Sequence, residues 1–158
     1  MADKQVDHVD MVIVGAGFAG MYMLYGARKA GLSVKCFEAG DGVGGTWYWN
    51  RYPGARVDIE CLEYSYSFSE DLQKEWNWTE RYAGQPELLD YANHVADRYN
   101  IRDDITFETR VVSTIFDEDS QRWIVKYCTV LYCIVVYCTV LYCPTGARRS
   151  LRSNSRDV

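Results

Sequence analysis

Apolar residues first cluster in VDMVIV, Val9 to Val14, a short β-branched run that stops at Gly15. That is the pattern of a buried parallel strand. GAGFAG follows and leads into MYMLYGARKAG, where apolar positions recur at helical spacing and Gly31 stands as a C-terminal stop. LSVKCFE then reads as a second strand ending at Glu38. Together these segments predict a βαβ start. From Ala39 to Tyr52 the pattern gives way to glycine and aromatics (AGDGVGGTWYWNRY), and Pro53-Gly54 marks a turn. IECLEYSYSFSEDLQKEWNWTERYAGQ reads as loop with a single helical turn. Pro86 is placed at the first position of a helix through ELLDYANHVADRY, whose Leu88, Leu89, Ala92, Val95, Ala96 and Tyr99 form one apolar face. ITFETRVVSTIFDE and QRWIVKY read as strands around a DEDSQ turn. The predicted fold class is α/β: an incomplete Rossmann-type domain with a small antiparallel β addition.

The pattern changes at Tyr127 to Cys143, YCTVLYCIVVYCTVLYC, a near-perfect five-residue repeat. A period of five fits neither a strand nor a helix. Uncharged and β-prone, the tract is an aggregation hazard, and it is too short and too rich in Thr and Cys for a good membrane span. Tyr-Cys-Thr-Val-Leu is also what the pentanucleotide TACTG encodes when repeated. On that basis residues 127–143 read as a translated simple DNA repeat, and 144–158 as a basic disordered tail.

The 158 residues amount to one domain, and the net charge of −5 argues against a general nucleic-acid binder. The charge is unevenly placed, because PTGARRSLRSNSRDV carries Arg148, Arg149, Arg152 and Arg156 against Asp157. MADKQVDHVD has no apolar core of a secretory signal, so the expected location is cytoplasmic. Cys36 and Cys61 are isolated, the other cysteines belong to the repeat, and the only histidines are His8 and His94. No metal site is expected. His94, on the predicted helix, reads as structural.

Candidate chemistry begins with Gly15-x-Gly17-x-x-Gly20, set between a strand and a helix, with Glu38 at the end of the next strand. Gly15 suits a tight turn, Gly17 a backbone that approaches a pyrophosphate, and Gly20 close packing of helix on strand. The helix N-terminus supplies partial positive charge to the phosphates, and Glu38 can accept ribose hydroxyls. A carboxylate there repels the 2′-phosphate of NADP, which leaves FAD or NAD for this site.

The next segment, GVGGTWYWNRYPGARVDIECLEYSYSFS, resembles the hallmark region of the Baeyer–Villiger monooxygenases, the cyclohexanone-monooxygenase-like flavoenzymes. The similarity continues through EWNWTERYAGQPELLDYANHVADRYNIRDDITFETRVVSTIFDE, so that it spans Val9 to about Lys126. The resemblance implies that 1–126 is a partial FAD-binding domain. It also implies an NADPH-dependent oxidoreductase, in which reduced flavin and O2 form a C4a-peroxyflavin that converts a ketone to an ester or lactone. By position it implies FAD contacts from Gly15, Gly17, Gly20, Glu38, Gly45, Thr46, Trp47, Tyr48, Asp58 and Tyr64, and from the backbone at Val111. Ala55, Arg56 and Val57 match a stretch on the NADP side, and Asp58 matches an acid supporting the family's active-site arginine.

Without the resemblance, Trp47, Tyr48 and Trp49 would read as core aromatics, Trp76 and Trp78 as packing residues, and Asp58 as a capping or solvated acid. Arg51 and Arg56 would read as surface cations. Val57 stands where Cys is usual in the family, and Cys61 where Ser is usual. The family's FxGxxxHxxxWP fingerprint, its second GxGxxG domain for NADPH and its active-site arginine do not occur here. The expectation is therefore an N-terminal fragment, binding FAD at most and inactive alone, with no catalytic residue of its own. The alternatives are another GxGxxG flavin monooxygenase, of N-hydroxylating or flavin-containing type, or a non-catalytic relic.

Overall fold

The computed structural model describes residues 7–129 and the backbone strand at 136–141. Strand β1 (Asp7–Val9) and strand β2 (Met11–Val14) divide the first apolar run at Asp10. One strand was predicted here. The division falls where the Asp10 carboxylate accepts the Ser33 N–H (2.8 Å) and hydroxyl (2.6 Å). Helix α1 (Phe18–Lys29) starts inside GAGFAG, earlier than the apolar spacing alone suggests. It ends in a Schellman arrangement: Gly31 has φ +73°, its N–H bonds the Arg28 carbonyl, and the Leu32 N–H bonds that of Ala27.

Strand β3 (Val34–Phe37) lies parallel to β2 and delivers Glu38 at its end. Three short helices follow: α2 (Thr46–Trp49), α3 (Cys61–Tyr64) and α4 (Glu70–Glu75). The segment read as loop with one helical turn thus holds two helices, α3 and α4. Ser69 caps the second by accepting the Leu72 N–H, which sets Leu72 into the core. Helix α5 (Gln85–Arg98) starts one residue before Pro86. Its buried face includes Leu88, Ala92, Val95 and Ala96 as predicted, and also Tyr91, while Leu89 and Tyr99 are half-buried. Tyr91 is buried because its hydroxyl accepts the Tyr66 N–H at 2.9 Å, and its ring packs against Trp76 and Trp78. Both tryptophans pack against the main core, as expected.

After a 3₁₀ turn (Ile101–Asp104), strand β4 (Ile105–Thr106) joins β3 in parallel. The chain turns at Phe107–Glu108, where Glu108 has φ +51°, into strand β5 (Thr109–Asp117). One continuous strand was predicted across this turn. β5 and β6 (Arg122–Thr129) form the expected antiparallel hairpin. Strand β7 (Val136–Leu141) lies within the repeat, antiparallel to β6 (Val125↔Cys138) and parallel to β1 (Val9↔Val140). The five-residue period argued against a strand. The tract's β-branched and aromatic composition favours one whatever its period. The rest of the predicted repeat beyond Thr129, and the predicted basic tail, lie outside the described residues. The result is an α/β Rossmann-type βαβ start, with parallel order β2-β3-β4 and an antiparallel hairpin beside it.

Candidate cofactor site

The turn from β2 to α1 is shaped by close backbone contacts. A methyl group added at Gly20 would stand 2.0 Å from the Gly15 carbonyl oxygen, so any larger residue forces the helix off the strand. Gly17 and Gly45 meet in the same way: a Cβ on Gly45 would lie 2.8 Å from the Gly17 Cα. Gly15 faces open space, and its N–H is tied to the Phe37 carbonyl at 2.8 Å. No side chain caps the N-terminus of α1, and no acid stands in its first turn. The partial positive charge there is left for an anionic ligand.

Glu38 is 4 % exposed. One carboxylate oxygen accepts the Ala16 N–H at 2.7 Å and the other the Gly40 N–H at 2.8 Å. An ionised carboxylate has about four acceptor positions, so each oxygen keeps one for a ligand hydroxyl. The main chain on either side is fixed as well. Glu38 donates to the Thr106 carbonyl (3.0 Å), and Thr109 donates to the Glu38 carbonyl (2.8 Å). Two residues away, burial pushes the Cys36 thiol up to about 12, and the Glu38 charge adds to the effect.

Around these groups lies a cleft of about 300 Å³ that brings together Gly15, Gly17, Glu38, Gly45 and Val111. Gly20 stands behind it, against Gly15. Val14, Phe37 and Ala39 also line it; they flank the motif in sequence and are placed by it. Thr109, Arg110 and Trp49 complete the lining. The first two follow from where β5 starts, and Trp49 comes from α2, within the glycine-aromatic segment.

The glycine-aromatic segment divides its residues. The Tyr48 hydroxyl donates to Asp41 at 2.5 Å, and the ring lies over Gly40 and Gly42. Thr46 is exposed, and its hydroxyl accepts from Asn50 at 2.9 Å. Trp47 turns inward: its indole N–H donates to the Tyr64 hydroxyl (2.8 Å), and it packs with Val57, Cys61, Ala83 and Leu88. Ala55 and Val57 are buried beside Ala83 and Gln85, through Gln85 N–H to Ala55 O (2.8 Å) and Val57 N–H to Ala83 O (3.1 Å). The Arg56 guanidinium points outward to Glu80 (2.7 Å) and the Tyr82 carbonyl (2.7 Å). Asp58 is exposed. Thr46, Trp47, Tyr48, Ala55, Arg56, Val57, Asp58 and Tyr64 are not part of the Glu38 cleft lining.

Tyr64 belongs instead to an open aromatic groove of about 520 Å³ with Phe18, Tyr22, Tyr66 and Phe68, at the first turns of α1. Cys61 is buried, and its Sγ accepts the Ala83 N–H at 3.0 Å, a bond that a serine hydroxyl could also accept. His94 packs on Trp76, 3.7 Å from Glu75, outside the lining of both clefts. Among the described residues, no three His, Cys, Asp or Glu side chains are grouped to hold a metal ion. None of the described helices is long and apolar enough to cross a membrane.

Residues 13–71 match the NAD(P)-binding Rossmann-like domain family. The acetone monooxygenase (methyl acetate-forming) of Gordonia sp. strain TY-5 is 50 % identical over 115 residues, covering 73 % of this chain and 22 % of that protein. A Baeyer–Villiger monooxygenase of Pseudooceanicola batsensis is 43 % identical over 117 residues, covering 73 % of this chain and 22 % of that one. The structure of an oxidized steroid monooxygenase bound to NADP superposes with a TM-score of 0.78 at 53 % identity, over 84 % of this chain and 25 % of that one. The chain spans about a quarter or less of the length of these relatives. With its glycine turn, buried Glu38 and GGTWYWNRYPGAR segment, the chain belongs to the Baeyer–Villiger monooxygenase family of flavoproteins and matches its N-terminal part.

Proposed function

We propose that this chain forms the FAD cradle of a Baeyer–Villiger-type monooxygenase, an enzyme that uses NADPH and O2 to turn a ketone into an ester or lactone. The observation that carries this reading is Glu38, a buried carboxylate held by two backbone N–H groups and lining the cleft at the glycine turn. That donor and acceptor set fits the ADP half of FAD: the uncapped start of α1 suits a pyrophosphate, and the spare lone pairs of Glu38 suit ribose hydroxyls. When bound, FAD supplies the redox chemistry, taking reducing equivalents from NADPH and passing them to O2.

On this reading Gly15 and Gly17 let the phosphates approach the backbone, Gly20 holds α1 against the turn, and the Val111 backbone meets the adenine end. Gly45, Thr46 and Tyr48 shape the loop that closes over the cofactor, and Trp47 and Tyr64 stand behind it through their mutual hydrogen bond. Ala55, Arg56 and Val57 present the NADP side, and Asp58 orients the family arginine. The cleft's neighbours keep water from the cofactor: Phe37 and Trp49 contribute apolar surface beside the polar groups.

On this reading the one assigned nucleotide turn, Gly15 to Gly20, serves FAD, so the polypeptide alone is expected to bind FAD without turning over NADPH. Purified chain mixed with FAD should retain flavin through gel filtration and show no ketone-dependent NADPH oxidation. Failure to retain flavin would remove the cradle assignment. Ketone-dependent turnover would show that the chain holds more of the machinery than one cradle.

A further inference from the structure

Gly40 and Gly42 are glycines that no left-handed backbone requires. Neither has a positive φ, unlike Gly44 and Gly45 just beyond them. The Tyr48 ring is what leaves no room for a side chain. An added Cβ would lie 2.6 Å from its Cε1 at Gly40 and 3.1 Å from its Cε2 at Gly42. Asp41, the residue between the two glycines, completes the contact. Its carboxylate accepts the Tyr48 hydroxyl at 2.5 Å, and its N–H donates to the same hydroxyl oxygen at 3.3 Å. Arg51 adds a hold of its own: its guanidinium carbon stands 5.0 Å from the centre of the Tyr48 ring, and its Nε donates to the Tyr48 carbonyl at 2.8 Å. The hydroxyl-to-carboxylate bond is charge-assisted, the stronger kind of hydrogen bond.

This clasp ends one hydrogen bond away from Glu38. The Gly40 N–H donates to a Glu38 oxygen at 2.8 Å, and the Gly40 carbonyl accepts the Glu108 N–H at 2.9 Å. The other donor to Glu38, the Ala16 N–H, belongs to the glycine turn, which the bond from Gly15 N–H to the Phe37 carbonyl ties to β3. Gly40 has no such anchor in a helix or strand, and glycine backbone is free to swing unless something presses on it. We propose that Asp41 is a positioning residue for cofactor binding. It holds the Tyr48 ring on Gly40, and so holds the Gly40 N–H that aims Glu38 at the ribose hydroxyls of FAD. The assignment rests on the FAD reading above and deepens it, adding a residue that neither the glycine motif nor the family signature marks.

The test is calorimetry of the full 158-residue chain with ADP and, separately, with 2′,3′-dideoxy-ADP, which has no ribose hydroxyls for Glu38 to hold. The parent should bind ADP the more tightly. Asp41→Ala and Tyr48→Phe should each weaken ADP about fivefold and leave the dideoxy ligand within about twofold of the parent. Asp41→Asn keeps an acceptor for the Tyr48 hydroxyl and should stay within about twofold for both ligands. Asp41 is exposed, so unchanged urea midpoints should confirm that its variants fold. Parent-like ADP affinity in Asp41→Ala or in Tyr48→Phe would overturn the proposal. Equal losses for the two ligands would overturn it as well, by making Asp41 a support for the whole cleft and not for Glu38. So would a loss in Asp41→Asn as large as in Asp41→Ala, which would make charge the cause and not the clasp. If the parent binds no ADP, or binds both ligands equally, the cradle reading itself fails; a preference for ADP that ignores Asp41 removes the positioning role alone.

Discussion

The stretch from Gly15 to Glu38 and the stretch from Trp47 to Asp58 both carry residues matched to cofactor binding, and the structure treats them differently. In the first, Gly15, Gly17 and Glu38 line one cleft, and they do so through backbone atoms or a carboxylate pinned by backbone N–H groups. In the second, Trp47 and Val57 sink into packing with Cys61, Ala83 and Leu88, Ala55 is buried, and Arg56 turns out to Glu80. A site made of main chain is fixed once the strand and helix form. A site made of large side chains depends on what else packs around it, so the same family signature can serve as core. Mutations in the first stretch should therefore act on ligand affinity. Those at Trp47, in the second, should act mainly on stability.

The largest effect expected is at Gly20. Gly20→Ala puts a methyl group 2.0 Å from the Gly15 oxygen, and should cost about 3 kcal/mol in urea unfolding and abolish FAD binding. Gly26→Ala in the same helix meets nothing within 4 Å and should instead gain about 0.5–1 kcal/mol. Equal effects at the two glycines would mean that helix–strand contact does not shape the turn.

Next comes Glu38→Gln, which points an amide N–H2 at a backbone donor that now meets an acceptor. It should raise the FAD dissociation constant tenfold or more and cost about 1–3 kcal/mol. In the other stretch, Trp47→Phe removes the 2.8 Å bond to Tyr64 and should cost about 1–2 kcal/mol while leaving FAD affinity within about threefold. A large loss of affinity with unchanged stability would reverse the contrast drawn here.

The smallest effect concerns alkaline pH. Burial and Glu38 raise the Cys36 thiol from about 9 to about 12, so the fold favours its protonated form. The stability tied to that thiol is full below about pH 9 and is lost progressively as pH rises towards 12. Burial raises Tyr91 to about 12 as well, which acts in the same direction. Urea midpoints should fall above pH 9, and less steeply in Cys36→Ala.

Legibility in the sequence follows the same division. The βαβ start, the Gly31 stop, the β5–β6 hairpin and the place of Glu38 could be read because local pattern and local chemistry decide them. The break at Asp10 could not, since it depends on Ser33, far along the chain. Tyr91 was missed because a tyrosine in a polar run enters the core only when Tyr66 and the tryptophans receive it. Trp49 and Arg110 share a cleft wall although they come from α2 and β5, and no periodicity in either element announces that. In the repeat, composition decided the strand at Val136–Leu141, and period was the wrong guide.

The central claim is that the Gly15–Glu38 cleft recognises the ADP half of FAD. Calorimetry of the full chain with FAD and, separately, with FMN tests it most directly, because FMN keeps the flavin and one phosphate but has no adenosine. The account predicts one FAD per chain, weakened at least tenfold by Glu38→Gln, and no measurable FMN binding. FMN binding as tight as FAD, or FAD binding indifferent to Glu38→Gln, would contradict it.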